Sequence, residues 1–272
     1  MNFISLMTTT TIVTAYFKLP KSKASHKHYE LWMANMLAID NDMVIFCDPK
    51  MSELVYGFRQ DKLDKTHIVE THMSDFFCYQ YAKYFLEHTK MDTEMAVGHN
   101  MFLYMIWNEK SNFLKRAIEA DPFKSDYFLW CDIGCFRRPN TQFIHWPNPE
   151  RVAALPKDRV LLLSVEPFND AELAVTRREQ LPSFQHSNRI GGTIFGGTKQ
   201  VLLEWHAKYY EMLEYFISID RFIGKDQSIM NSVYLINRNM CELVKWRSGC
   251  ADIWFYLQDY LGGTIGLASH TP

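Results

Sequence analysis

Short, continuously apolar runs alternate with amphipathic stretches along most of the chain. The short runs predict strands buried on both faces, and the amphipathic stretches predict helices with one apolar side. The predicted strands cover residues 10–17, 43–47, 127–131 and 160–165. The predicted helices cover residues 28–38, 75–88, 100–120, 199–217 and 226–235.

This strand–helix–strand order is typical of a parallel α/β sheet. The length of 272 residues suits one large α/β domain, and no repeat, low-complexity segment or linker divides the chain. We therefore expect a single α/β domain over residues 1–272, with a mixed, mostly parallel central sheet.

Composition and charge narrow the class of protein. Hydrophobic residues make up 47% and the formal net charge is −2, which is typical of a globular chain and not of a nucleic-acid binder. The first 17 residues lack the basic start and cleavage site of a signal peptide, and no apolar run is long enough to span a membrane. Six cysteines without a CxxC pair favour a reducing compartment, so a cytoplasmic location is expected.

The first chemical candidate is Asp132, which directly follows the apolar strand 127–131. Ligands of open α/β sheets bind at the carboxyl ends of the strands, where such a side chain is aimed. Mg²⁺ or Mn²⁺ prefers carboxylates and phosphate oxygens, and Gly134 leaves room for a phosphate. Asp132 thus predicts a metal and diphosphate site, although a simple turn cap is the alternative.

Three further segments carry candidate chemistry. Asp226 begins a helix after Gly224, where it either caps the helix or acts as a general base. Gly191 and Gly192 lie in a glycine-rich apolar run that either packs tightly or lets a ligand approach the backbone. Lys110, on the helix before the Asp132 strand, either offsets diphosphate charge or is a solvated surface group.

Taken together, five segments resemble the HtrL/YibB-type proteins, a glycosyltransferase-like family. The matching pieces are TIVTAYF (11–17), VIFCD (44–48), YMIWNEKSNFLKRAIEADPFKSDYFLWCDIGCFR (104–137), NRIGGTIFGGT (188–198) and GKDQSIMNSVYL (224–235). The resemblance implies a GT-A fold, a Rossmann-like α/β/α sandwich that binds a nucleotide-diphosphate sugar through a metal. Its usual Asp-x-Asp motif is met here by Asp132 only, since Gly134 stands at the second position.

The resemblance also implies roles for single residues. Thr14, Ala15, Tyr16 and Asp48 would hold the nucleotide in the N-terminal half of the chain. Asp132 would bind Mn²⁺ or Mg²⁺, with a distal ligand chosen among His145, His186 and His270. Lys110 would lie beside the diphosphate, Gly191 and Gly192 near the donor sugar and acceptor, and Asp226 would supply the base.

The expected function is transfer of a sugar from a nucleotide-diphosphate donor, UDP being the commonest, to a hydroxyl of a glycan acceptor. Inversion is expected, with Asp226 as base, although a similar Asp-Gln pair occurs in some retaining families. Trp205 and Tyr209 are candidates to stack on acceptor sugar in the C-terminal half. The alternative is a catalytically degenerate protein that binds nucleotide sugars or glycans, and a nucleotidyltransferase ranks lower because the loop after the first strand has no glycine.

Overall fold

The computed structural model describes residues 8–22, 24–139, 142–248, 250 and 252–263, and these contain one seven-stranded sheet between two layers of helices. The strands are β1 (Thr10–Tyr16), β2 (Asp42–Cys47), β3 (Thr66–Glu70), β4 (Tyr127–Cys131), β5 (Val160–Ser164), β6 (Ile190–Thr198) and β7 (Cys241–Lys245). The α-helices are α1 (His26–Leu37), α2 (Ser52–Arg59), α3 (Ala82–His88), α4 (Met101–Ala120), α5 (Pro149–Ala153), α6 (Asp170–Leu173), α7 (Lys199–Ser218), α8 (Asp226–Ile236) and α9 (Tyr256–Gly262). None of the described helices is long and apolar enough to cross a membrane.

The strand order is β3-β2-β1-β4-β6-β5-β7, and one strand runs against its neighbours. β1 pairs in parallel with β2 and β4, β2 with β3, and β5 with β7. β6 pairs antiparallel with both β4 and β5. The predicted class of fold is confirmed: an α/β structure with a mixed, mostly parallel central sheet.

The central strands are apolar throughout because both of their faces are covered. Val13 and Ala15 of β1 belong to the hydrophobic cluster that also contains buried residues of α4, α7 and α8. Ile12 and Tyr16 of the same strand belong to the cluster on the opposite face, with buried residues of α1 and α9. Alternate residues of one strand thus serve two cores.

The predicted helix over residues 75–88 is wrong in its first half. Residues 73–81 form 3₁₀ turns, and only Ala82–His88 is α-helical. The carboxylate of buried Glu109 accepts hydrogen bonds from the backbone N–H groups of Phe77 and Cys78, both at 3.0 Å. A side chain from α4 therefore satisfies backbone donors that the helical pattern assigned to the segment itself.

The structure also contains α2, β3 and β7, which the apolar pattern did not indicate. β3 and β7 are the outermost strands of the sheet and are only partly buried, so their sequences lack a continuous apolar run. Fully buried Arg59 at the end of α2 donates to the carbonyl oxygens of Ile39 (2.6 Å) and Asn41 (2.9 Å). This arginine joins the end of α2 to the chain between α1 and β2.

Candidate functional site

Asp132 lies at the carboxyl end of β4, at the edge of the sheet where antiparallel β6 begins. Its backbone N–H donates to the carbonyl oxygen of Thr193 at 2.8 Å, which continues the β4–β6 ladder by one step. The indole Nε1 of Trp130 donates to Asp132 Oδ1 at 2.7 Å. The Trp130 indole therefore holds one carboxylate oxygen of Asp132, while the side chain is still 31% exposed to solvent.

Lys110 joins the two aspartates that the sequence singled out. Its Nζ lies 3.1 Å from Asp132 Oδ1 and 2.9 Å from Asp226 Oδ2, and it donates to the carbonyl oxygen of Gly192 at 2.9 Å. The residue is only 5% exposed, which excludes the solvated surface lysine considered as the alternative. One ammonium thus has oxygen partners on three residues, which lie directly after β4, in β6 and in α8.

The charges of this group stabilise one another. Burial alone would lower the pKa of Lys110, but the attraction of Asp132 and Asp226 outweighs it and raises the pKa above its ordinary value of 10.5. Burial raises the pKa of Asp132 above 3.8, although the nearby Lys110 acts in the opposite direction. Lys110 is therefore a permanent cation in the folded protein at neutral pH.

Asp226 is the first residue of α8 and lies against the backbone of β6. The backbone N–H of Gln227 donates to Asp226 Oδ1 at 2.9 Å. A Cβ atom on Gly192 would come within 2.6 Å of Asp226 Oδ2, closer than real Cβ contacts allow. The Asp226 carboxylate can therefore approach β6 this closely only because residue 192 is a glycine. In the glycine-rich run, Gly192 makes room for a side chain of another element.

Two cavities meet at Lys110 and Asp132. The first, about 230 Å³, is largely apolar and is lined by Ala15, Tyr16, Trp107 and Gly134 among others. The second, about 350 Å³, is more polar and is lined by residues that include Gly192 and Asp226. An apolar cavity and a polar cavity thus adjoin the charged cluster of Lys110, Asp132 and Asp226.

The predicted site residues do not all reach these cavities. Thr14 is fully buried in β1. Asp48 caps the turn after β2, where its Oδ1 accepts the N–H of Lys50 at 2.9 Å, and it does not line either cavity. Gly191 lies in β6 beside β5, and a Cβ added there would lie 3.1 Å from Val165 Cγ1. Seven predicted residues line one or both cavities: Ala15, Tyr16, Lys110, Asp132, Gly134, Gly192 and Asp226. Thr14, Asp48 and Gly191 line neither cavity.

Trp205 and Tyr209 are buried, at 0% and 3% exposure, so the prediction that they stack on acceptor sugar is wrong. Both lie on α7 with their rings in the core between that helix and the sheet. The hydroxyl of Tyr209 donates to Asn108 Oδ1 at 2.7 Å. Their role is to fill and fix the layer beneath α4.

Arg137 is a residue of the site that the sequence did not single out. Its guanidinium carbon lies 4.5 Å from the ring centroid of Trp32 and 4.7 Å from that of Phe255. It lines both cavities. The signal in the sequence was its place in the motif, five residues after Asp132, but its ring partners come from distant segments.

The surroundings of Asp132 do not fit a divalent cation. A metal would have to approach an Asp132 oxygen to about 2.0–2.2 Å while the Lys110 ammonium already lies at hydrogen-bond distance from both of these oxygens. Gly134 offers no side-chain ligand at the second motif position. Of the candidate histidines, His145 and His186 are exposed and line neither cavity, and His270 lies outside the described residues.

Among the described residues, the group with metal-ligand spacing is Asp92, Glu94 and His99. Asp92 Oδ2 is already bonded to His99 Nδ1 at 2.8 Å and to the Tyr104 hydroxyl at 2.7 Å. Although burial acts in the opposite direction, these bonds and that from the Glu94 N–H hold the pKa of Asp92 below 3.8. Glu94 also pairs with Lys225, so a metal at this group would compete with an ammonium and two hydrogen bonds.

The HtrL_YibB family model, whose description reads "Bacterial protein of unknown function", matches residues 8–255. The chain belongs to the HtrL/YibB family. No curated protein matches this HtrL/YibB chain. Among solved structures it is similar to 4-diphosphocytidyl-2C-methyl-D-erythritol synthase from Anaerococcus prevotii DSM 20548, with 8% identity, a TM-score of 0.44 and coverage of 89% of this chain and 88% of that one. It is also similar to apo mouse xyloside xylosyltransferase 1, with 9% identity, a TM-score of 0.45 and coverage of 86% and 84%.

Proposed function

We propose that this HtrL/YibB protein is a glycosyltransferase that moves a sugar from a nucleotide-diphosphate donor to a hydroxyl of a glycan acceptor. The observation that carries the proposal is the contact of one buried ammonium, that of Lys110, with both Asp132 and Asp226 where the two cavities meet. A cation at the carboxyl edge of the sheet suits a departing diphosphate, and a carboxylate beside it suits an acceptor hydroxyl.

In this proposal the nucleotide, probed first as UDP, lies in the apolar cavity beside Ala15 and Tyr16, in the N-terminal half of the chain. The acceptor enters the polar cavity, which is lined by Gly192, Asp226 and Gln227 of the C-terminal half. The halves then correspond to donor and acceptor binding within a single domain. The anomeric carbon lies between the two compartments, above Lys110.

Asp226 is the proposed base. The acceptor oxygen attacks the anomeric carbon as its proton passes to Asp226 Oδ2, and the bond from that carbon to the diphosphate oxygen breaks. The electron pair leaves with the nucleoside diphosphate, whose charge Lys110 stabilises. Lys110 Nζ lies 2.9 Å from Asp226 Oδ2, and attraction of the ammonium to the diphosphate leaves this oxygen available to accept the proton.

The test uses Asp226→Asn with exposed Asp158→Asn as the control. We expect Asp226→Asn to lower UDP release from UDP-sugars, in the presence of oligosaccharide acceptors, by about 10²–10⁴-fold, the usual contribution of a general base. Calorimetry should show nearly unchanged UDP binding in Asp226→Asn. Full turnover by Asp226→Asn would refute the base assignment.

A binding protein without transferase activity is the second candidate, and the ion pair that occupies Asp226 Oδ2 favours it. Tight binding of UDP-sugars with no turnover in wild type, across acceptors, would establish that alternative. Retention in place of inversion would appear in the anomeric configuration of the product by NMR.

A further inference from the structure

The two cations that face the cavities come from different elements and are held in different ways. Lys110 is fixed by oxygen partners directly after β4, in β6 and in α8. Arg137 is fixed by the rings of Trp32 and Phe255 on its two sides, and its Nε donates weakly to the Gly134 carbonyl oxygen at 3.4 Å. Both line the apolar and the polar cavity.

Arg137 keeps most of its donors available for a ligand. Within the part of the chain that the structure describes, no acidic side chain forms an ion pair with its guanidinium. Stacking on aromatic rings holds the plane of a guanidinium while its N–H groups remain free to bond phosphate in a bidentate manner. The group is thus ordered without being neutralised.

From these contacts we infer that Lys110 and Arg137 together take the place of a divalent cation, so that the protein binds a nucleoside diphosphate without a metal. The inference rests on the proposed function for the choice of ligand. Lys110 Nζ lies 3.1 and 3.4 Å from the two carboxylate oxygens of Asp132, the group that would hold a metal, and Arg137 adds a second positive charge beside Gly134. Two fixed side-chain cations supply the charge that Mn²⁺ or Mg²⁺ supplies when it bridges carboxylate and phosphate oxygens.

The experiment measures binding of UDP, GDP, CDP and ADP by calorimetry, in EDTA and in MnCl₂, with wild type, Arg137→Ala and Arg138→Ala. Arg138 is the matched control because it is the neighbouring exposed arginine and lines neither cavity. Wild type should bind at least one nucleotide equally in both buffers. Arg137→Ala should weaken that binding by about 10–100-fold, as expected for loss of charge-assisted hydrogen bonds, and Arg138→Ala should not.

A second variant tests Lys110 by a gain of binding. In Lys110→Met, Asp132 and Asp226 lose their shared cation, so Mn²⁺ binding should appear in electron paramagnetic resonance and disappear again in Lys110→Met/Asp132→Asn. If Lys110→Met does not fold, the chelation experiment on wild type and the arginine pair decides the matter.

The outcomes separate this inference from the proposed function. Binding that requires Mn²⁺ overturns the inference and leaves the glycosyltransferase proposal standing. Equal binding by Arg137→Ala and Arg138→Ala overturns the role of Arg137. Failure of wild type to bind any of the four nucleotides in either buffer refutes the proposed function, and the inference with it.

Discussion

The Asp226 carboxylate lies directly against the Cα of Gly192: a Cβ added to Gly192 would lie 2.6 Å from Asp226 Oδ2. The carboxylate can rest beside Lys110 only because β6 has no side chain at this point. A substitution at Gly192 therefore acts on the Asp226–Lys110 pair before it acts on any ligand.

Gly192→Ala is expected to displace Asp226 and to lower the free energy of unfolding by about 1–3 kcal/mol, the usual cost of an overpacked core site. Urea denaturation gives the loss of stability, and UDP release gives the loss of turnover. Gly57→Ala is the control, since nothing lies within 4 Å of a Cβ added at this exposed position of α2, and it should stabilise the protein by up to about 1 kcal/mol. Equal effects of the two variants would contradict the steric argument.

Trp130→Phe removes the indole donor to Asp132 but keeps a ring beside Phe113, on which Trp130 stacks with centroids 5.8 Å apart. Because the acceptor is charged, we expect a loss of about 2 kcal/mol in stability and weaker nucleotide binding. Trp146→Phe serves for comparison, since its Nε1 donates to the neutral Gln258 carbonyl oxygen far along the chain. Unchanged nucleotide affinity in Trp130→Phe would show that this hydrogen bond does not orient Asp132.

Lys110→Met should cost about 3–5 kcal/mol at neutral pH because it leaves the buried Asp226 carboxylate without its cation. The folded-state pKa of Lys110 is raised, so its stabilisation is complete below 10.5 and declines as pH rises toward the folded pKa. The difference in unfolding free energy between wild type and Lys110→Met should therefore shrink above pH 10.5 by up to about 1.4 kcal/mol per pH unit. Urea titrations at alkaline pH measure it.

Lys115→Met on the same helix removes only a surface pair with Glu119 and should cost at most about 0.5 kcal/mol. A cost of Lys110→Met no greater than this would contradict the burial argument.

Asp92→Asn should destabilise the protein by about 2–3 kcal/mol at neutral pH, since Asp92 accepts from both His99 and Tyr104. The pKa of Asp92 is lowered in the fold, so its contribution is present above 3.8 and is lost as pH falls through the folded value. The difference from wild type in urea denaturation should therefore narrow as pH falls below 3.8. A constant difference, or an equal one in exposed Asp64→Asn, would count against the assignment.

The sequence alone identified the three residues that contact Lys110, because each of them obeys a local rule. Asp132 follows a buried strand, Asp226 starts a helix and Gly192 interrupts an apolar run. That a single ammonium joins all three depends on the antiparallel direction of β6, which no local pattern encodes. Arg137 was missed for the same reason, since its ring partners Trp32 and Phe255 lie more than 100 residues away on either side.

The remaining errors in the fold also arise from contacts distant in sequence. The segment 73–81 carries a helical pattern, yet its backbone donors are taken by Glu109 of α4. Trp205 and Tyr209 lie on the amphipathic helix α7. Periodicity predicts that this helix has a buried side, but which of its aromatic residues are covered depends on the elements packed against it. Periodicity located the helices, and it left open which donors and faces other elements would cover.

The reversed strand β6 has one more consequence. The Gly192 carbonyl oxygen comes from a strand that enters this edge of the sheet, and Asp132 from a strand that leaves it, with the Asp132 N–H bonded to the Thr193 carbonyl oxygen between them. The ladder hydrogen bond sets the spacing of the two backbones beside Lys110, and the Trp130 indole holds the Asp132 carboxylate in place. The Lys110 ammonium is thus preorganised by its oxygen partners. A ligand can bind to it without the reorganisation energy that solvating water or a mobile loop would require.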